Sequence, residues 1–134
     1  MTDTLTLDRR LALARETRSK GYNCAQSILS AFPDIFMLPQ EACLRLGTAL
    51  GGGLGTTGST CGVLVAMALA EGMRTTGMPA DKVTAYASYR SLHKAFLDRH
   101  GDTLCPALKA RKIPCNELIY SGIEMYHNYI ESEG

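Results

Sequence analysis

Five cysteines are the residues of this 134-residue chain best suited to chemistry, at Cys24, Cys43, Cys61, Cys105 and Cys115. No two of them form a C-x-x-C motif, so neither a thioredoxin-type motif nor a zinc ribbon is indicated. Thiolates from separate elements can still exchange with disulfides, bind zinc tetrahedrally or hold an iron–sulfur cluster. The sequence therefore directs attention to the cysteines and leaves these three chemistries open.

The histidines and carboxylates form no comparable pattern. His93 and His100 share one face of a predicted helix and are interpreted as partly exposed polar side chains, and His127 is placed near an exposed C-terminal flank. No carboxylate pair with acid/base spacing occurs, and G-x-S-x-G, H-E-x-x-H and EF-hand patterns are absent from the sequence. Hydrolytic and calcium-binding sites of those types are therefore not predicted.

A glycine-rich stretch, GGGLGTTGSTCG at residues 51–62, contains a formal match to G-x-G-x-x-G at Gly53, Gly55 and Gly58. A dinucleotide site requires a strand before such a loop, whereas a helix is predicted here, and a P-loop requires a lysine where Ser59 stands. The binding role left open by the sequence is an anion site, in which the backbone N–H groups of these glycines hold a small anion, including a thiolate. We interpret the stretch chiefly as the approach to Cys61.

Apolar residues at helical spacing recur along the whole chain, and no hairpin pattern occurs. This predicts an all-α fold, a compact bundle of five main helices plus one short helix. The apolar run VLVAMALA, residues 63–70, is assigned to a helix because a lone strand would have no partner. Helix caps are predicted at Asn23 and Thr60, and a helix that begins at Pro39 carries Cys43, Leu46 and Leu50. The next two predicted helices run from Cys61 to about Arg74 and from about Ala80 to Arg99, the second closed by Gly101. A short helical turn at Cys105–Pro106 precedes the last predicted helix, from Cys115 to about Glu131.

Four of the five cysteines fall at predicted helix N-termini: Cys24, Cys61, Cys105 and Cys115. Free N–H groups and the helix dipole favour the thiolate there. Cys24, Cys61 and Cys115 also begin apolar stripes, so their sulfurs are expected to point inward and toward one another. Cys43 lies inside its helix and is predicted to be a buried apolar residue.

Composition restricts the partners. The chain is 46% hydrophobic and 20% charged, with a formal net charge of +1 and no run of like charges, so nucleic acid and acidic membranes are not indicated as partners. Its longest apolar run is far shorter than the roughly 20 residues that cross a bilayer. We predict one domain over residues 1–134 and a cytoplasmic location, with a redox protein or a small thiol or disulfide as partner; an oligomer is compatible with the sequence.

The combination of GYNCAQ at residues 21–26, the glycine run leading into Thr60-Cys61-Gly62, Cys105, and CNEL at residues 115–118 resembles the redox-active protein family named for its C_GCAxxG_C_C cysteine signature. The resemblance implies that Cys24, Cys61, Cys105 and Cys115 are the four signature cysteines and that Cys43 is extra. Two positions depart from the C-G-A-x-x-G part of the pattern, with Val63 for alanine and Ala66 for glycine. Bulkier residues at these positions alter how closely another helix can approach.

The leading hypothesis is a redox protein that uses this cysteine cluster for thiol–disulfide exchange or electron transfer. Cys61 is predicted to be the attacking thiolate and Cys24 its resolving partner, with Cys105 and Cys115 as a second pair. One alternative is a protein holding zinc or an iron–sulfur cluster through the same four cysteines, and another is a helical interaction module with structural thiols. The sequence names no substrate and leaves open whether the protein is an enzyme.

Overall fold

The computed structural model describes residues 5–133, and this part of the chain folds into helices joined by short loops. The helices are α1 (Leu7–Ser19), α2 (Cys24–Ala31), α3 (Pro33–Phe36), α4 (Gln40–Gly47), α5 (Gly62–Met73), α6 (Asp81–His100), α7 (Cys105–Ala110) and α8 (Cys115–Glu133). Gly53–Thr57 form an irregular turn between α4 and α5, in which Leu54 and Gly55 have positive φ values. The all-α prediction is confirmed, although six of these helices have eight or more residues, one more than the five predicted.

Helix α2 is the centre of the bundle, since all eight of its residues are buried and it packs against α1, α4, α5 and α8. Its first turn is fixed by the predicted cap at Asn23. The Asn23 side chain accepts from the Gln26 N–H at 2.8 Å, and the Gln26 side chain accepts from the Asn23 N–H at 2.9 Å. Such a reciprocal capping box satisfies two otherwise unpaired N–H groups and fixes where the helix begins.

Residues 63–70 lie in α5, as predicted, but the cap predicted at Thr60 is wrong. The helix begins at Gly62 with Cys61 in the N-cap position, and Thr60 instead forms an isolated antiparallel bridge with Leu104. The Cys61 N–H donates to the Thr103 carbonyl at 2.9 Å, and the Cys105 N–H donates to the Ser59 carbonyl at 2.9 Å. This pairing keeps the chain extended up to Cys61 and holds Cys61 close to Cys105.

The helix predicted from Pro39 is shorter than expected. Helix α4 ends at Gly47, so Leu50 lies outside it, and Leu46 is about half exposed rather than on the inner face. A Cβ at residue 47 would lie 2.8 Å from the Gln26 side chain, which explains the glycine where α4 meets α2. Cys43 is nevertheless buried, as predicted.

The long helix α6 presents Leu92 and Phe96 to the core and ends at Gly101, whose φ of +85° suits a glycine at a helix C-terminus. Among the described residues, no helix is long and apolar enough to span a membrane.

Two histidines predicted to be at least partly exposed are buried instead. His100 Nε2 lies 2.7 Å from Ser121 Oγ, joining α6 to α8, and His127 Nδ1 accepts from Arg10 Nε at 3.0 Å, joining α8 to α1. Both predictions were wrong because each ring has a polar partner on a distant helix. A buried polar group that is hydrogen-bonded does not have to reach water.

Arg10 is fully buried and connects α1 with the region where α2 meets α3. Its guanidinium forms two hydrogen bonds of 2.8 Å with the Asp34 carboxylate, donates to the Ala31 carbonyl and lies over the Phe32 ring at 4.3 Å. Burial alone would raise the pKa of Asp34, but the Arg10 hydrogen bond and charge outweigh it and leave that pKa below its usual value. This ion pair is a principal polar contact of the core.

Candidate functional site

The four cysteines predicted at helix N-termini line one cavity. Cys24, Cys105 and Cys115 are the first residues of α2, α7 and α8, and Cys61 is the N-cap of α5. The cavity has a volume of about 60 Å³, room for a few water molecules or the reacting end of a larger molecule. Its walls are completed by Gly52, Gly62, Val63, Leu108, Lys109, Ile113 and Leu118. Four helices therefore bring their N-termini to the same place.

Glycines allow the cysteines to approach so closely. A Cβ on Gly62 would lie 2.7 Å from Cys24 Sγ and 2.9 Å from the Leu50 carbonyl, so the Cys24 sulfur packs directly on the backbone beside Cys61. A Cβ on Gly53, where φ is +68°, would lie 2.9 Å from the Cys105 Cβ. Side chains at these positions would push the cysteines apart.

The glycine-rich loop reaches the cavity at its beginning. Gly52, which was not predicted to be a site residue, lines the cavity, and its N–H lowers the pKa of Cys24 against the effect of burial. Gly53 is buried against Ser59, whereas Gly55 and Gly58 are exposed and do not line the cavity. The residue that meets a sulfur thus comes just before the G-x-G-x-x-G match.

Burial controls the ionisation of the inner thiols. Cys61 is 5% exposed, and burial raises its pKa to about 12. The Val63 N–H opposes this effect, and the neighbouring Cys24, Cys105 and Cys115 each add a smaller increase. Burial also raises the pKa of Cys24, against hydrogen bonds from the Gly52 and Ala25 N–H groups. The expectation that Cys61 is an approachable thiolate is therefore not supported, because desolvation outweighs the helix N-terminus.

Cys115 differs from the other cysteines in its exposure. It is partly exposed, whereas Cys24, Cys43, Cys61 and Cys105 are buried. All five are free thiols, with no two sulfurs at disulfide distance. Within residues 5–133 no group of three or more His, Cys, Asp or Glu side chains is arranged to hold a metal ion, so this arrangement gives the zinc and iron–sulfur alternative no support.

Two side chains near the cysteines were not predicted to belong to the site. Lys109 lines the cavity, and its spacing of four residues from Cys105 on α7, which places both on one helix face, could have indicated this. Burial, and then the charge of Cys61, raise the pKa of Tyr89 on α6, and no local pattern in the sequence connected this tyrosine with the cysteines.

Cys43 stands apart from this cavity. It is 2% exposed within α4 and lies in a separate recess with Leu13, Leu29 and Ser30. Burial raises its pKa. These observations confirm its placement as a buried apolar residue and make it a useful control.

The two departures from the signature are accommodated by the packing. Val63 and Ala66 are both fully buried in α5. The Val63 side chain fills the space over Gly122 on α8, where an added Cβ would lie 2.4 Å from Val63 Cγ1. A glycine on the facing helix therefore admits the bulkier valine without separating α5 from α8.

Comparison with known proteins agrees with this geometry. The family model described as "Putative redox-active protein (C_GCAxxG_C_C)" matches residues 22–129, a span that contains all four cavity cysteines. No curated protein and no solved structure matches the chain. Because this match covers most of the chain, the chain belongs to the C_GCAxxG_C_C family of redox-active proteins.

Proposed function

We propose that the cavity carries out reversible two-electron thiol–disulfide exchange, with Cys115 as the thiol that meets the partner. The observation that supports this most directly is that four free cysteines from four helices line one cavity and only Cys115 among them is partly exposed. Cys115 takes the role that the sequence assigned to Cys61, because an attacking sulfur has to reach the partner disulfide.

The reaction needs a second thiol near Cys115, and Cys24 fits this role. Both residues line the same cavity, and the charge of Cys115 contributes to the raised pKa of Cys24, which supports this choice. Cys115 thiolate attacks the partner disulfide, forming a mixed disulfide and releasing one thiolate. Cys24, losing its proton, then attacks the Cys115 sulfur, forms the Cys24–Cys115 disulfide and releases the second thiolate. The partner gains two electrons and two protons in total, and the protein loses them.

Cys61 and Cys105 form the second pair in this proposal. The hydrogen bonds on either side of the Thr60–Leu104 bridge hold their backbones together, and Cys105 is among the cysteines whose charge acts on Cys61. Cys61 also neighbours Cys24, so a disulfide formed first at the outer pair can be passed inward. The pairing differs from the one expected from sequence, which joined Cys61 with Cys24 and Cys105 with Cys115.

The test is to titrate the reduced protein with a small neutral disulfide, alkylate rapidly and identify products by mass spectrometry. We expect the protein to be about 2 Da lighter per disulfide before alkylation, and each disulfide to leave two cysteines without an alkyl group, first Cys24 and Cys115. Cys24→Ala should trap the mixed disulfide on Cys115, and Cys115→Ala should slow the first step at least tenfold. Cys43→Ala is the matched control, since it removes an equally buried thiol outside the cavity, and it should behave as the wild type.

Two results would overturn the proposal. One is that no reversible disulfide forms among the four cysteines at any ratio of oxidant to protein. The other is that protein purified without oxygen contains stoichiometric zinc or iron and that its cysteines stay unreactive until the metal is removed, which would favour the metal-binding alternative.

A further inference from the structure

Resting on the proposed exchange reaction, we infer that its substrate is a small disulfide that carries carboxylate groups. The basis is the charge of the surfaces on both sides of Cys115. Lys109 is the one charged side chain lining the cysteine cavity in the described chain. Arg15 and Arg18 are the charged side chains lining a neighbouring groove, together with Ser19, Gly21, Asn116 and Tyr120.

The cavity and the groove are lined by consecutive residues at the start of α8, Cys115 in the cavity and Asn116 in the groove, and the charge of Arg18 in the groove acts on Cys24 in the cavity. Within the described residues no acid lines either recess. A third groove shares Asn116 and Tyr120 with the arginine groove and contains Glu117 and Glu124, and Glu124 is paired with Arg99. A molecule that reaches the Cys115 sulfur therefore has Lys109 on the cavity side and the two arginines on the groove side.

These positive charges are not neutralised within the described part of the chain, where Arg15, Arg18 and Lys109 form no ion pair. Arg18 is held in place by hydrogen bonds from its guanidinium to Asn116 Oδ1 at 2.9 Å and to the Tyr22 carbonyl at 3.0 Å. A fixed guanidinium loses little freedom on binding and matches the geometry of a carboxylate.

The size of the recess favours a small substrate over a disulfide in a folded protein. The cavity of about 60 Å³ admits a sulfur and its adjoining carbons but not a loop of polypeptide. Cys115 itself is only partly exposed, so the attacked sulfur has to enter the recess. Carboxylates attached one to a few bonds from that sulfur would remain in the groove, opposite Arg15 and Arg18. The substrate is the oxidant in the balanced exchange described above and leaves as two thiols.

The charge preference can be measured with three small disulfides that differ mainly in charge. They are 3,3′-dithiodipropionate with two negative charges, neutral bis(2-hydroxyethyl) disulfide, and cystamine with two positive charges. We expect reduced protein to react about tenfold faster with the anionic than with the cationic disulfide at low ionic strength. The ratio should shrink to about twofold at 0.5 M salt, because salt screens exposed charges.

Variants separate the proposed charges from net charge alone. Arg15→Gln and Lys109→Gln should each lower the ratio of anionic to neutral rates several-fold. Lys82→Gln removes one positive charge from an exposed position of α6 outside both recesses, so it should leave that ratio unchanged. Arg18 is left intact because it also supports Tyr22 and Asn116.

The outcomes distinguish this inference from the proposed function. The protein could react with all three disulfides with rate ratios that neither salt nor the two variants change. That result would overturn the charge preference and leave the proposed thiol–disulfide exchange intact. Failure of the reduced protein to react with any of the three would overturn both. A faster reaction with the cationic disulfide at low salt would reverse the inference outright.

Discussion

Gly122 on α8 should be intolerant of even one added methyl group, because Val63 of α5 occupies the space above it. A Cβ built at residue 122 lies 2.4 Å from Val63 Cγ1, 3.4 Å from Met67 Cε and 3.8 Å from Ile28 Cδ1. Only the first of these contacts is impossible, since carbon atoms pack at about 3.5 to 4.0 Å. Val63 is β-branched and helical, so its χ1 angle has little freedom to move the methyl away.

The size of the effect follows from two opposing contributions. Glycine to alanine inside a helix gains about 1 kcal/mol of helix propensity, and overpacking a core costs about 1 to 3 kcal/mol. Gly122→Ala should therefore lower the free energy of unfolding by up to about 2 kcal/mol. Val63→Ala removes two buried methyl groups and should cost about 2 to 3 kcal/mol. In the double variant the new Cβ occupies part of the vacated space, so the loss should be about 2 kcal/mol smaller than the sum of the single losses.

Urea unfolding under reducing conditions, followed by circular dichroism, gives the free energy of unfolding of the wild type, the two single variants and the double variant, which together form a double-mutant cycle. Gly72→Ala is the control, because Gly72 lies in α5 with nothing within 4 Å of an added Cβ and should become more stable by up to about 1 kcal/mol. Losses at Gly122 and Val63 that add to within about 0.5 kcal/mol would refute the idea that one contact couples them. Stabilisation by Gly122→Ala alone would refute the packing argument itself.

Three further predictions concern the site and the core. Gly62→Ala should destabilise the protein by about 1 to 3 kcal/mol in urea unfolding and change the rate of Cys24 alkylation, because its Cβ would lie 2.7 Å from Cys24 Sγ; a rate equal to that of the wild type would contradict the contact. Folding raises the pKa of Cys61 from its ordinary value of 9.0 to about 12, so the contribution of this thiol to stability is complete below pH 9.0 and is lost as pH rises toward about 12. Urea unfolding above about pH 9 should therefore show that the free energy of unfolding falls more in the wild type than in Cys61→Ala. Asp34→Asn should lower the free energy of unfolding by about 3 to 5 kcal/mol at neutral pH, because it leaves the Arg10 charge buried without its partner. Because folding lowers the pKa of Asp34, the free energy of unfolding should fall more in the wild type than in this variant as pH drops below about 4.

Local signals in the sequence were enough to place the cysteines at helix N-termini. Asn23 and Gln26 form the capping box that begins α2 at Cys24, and the proline after Cys105 lies at the start of α7. Gly101 ends α6 with a positive φ. Each of these features depends on residues within one turn of the helix end, so the pattern along the chain contains the information.

What the sequence could not show depends on contacts between distant segments. Thr60 has the side chain of a helix cap, but its backbone pairs with Leu104 and α5 begins later. His100 and His127 are polar residues on helices, and their burial follows from Ser121 and Arg10 on other helices. Helix position alone favoured a thiolate at Cys61, whereas its desolvation is produced by the four segments that meet around the cavity.

The burial of Cys61 gives the cluster a preferred order of reaction. On the proposed mechanism the partly exposed Cys115 reacts first and Cys24 completes the outer disulfide. That disulfide removes two of the three neighbouring sulfur charges that raise the pKa of Cys61, and burial, the largest cause, remains. The pKa of Cys61 therefore falls once the outer pair is oxidised, although it stays above that of an exposed cysteine. The form of the protein with only the outer disulfide should consequently accumulate first, and the form with both disulfides should appear only after the outer disulfide has formed.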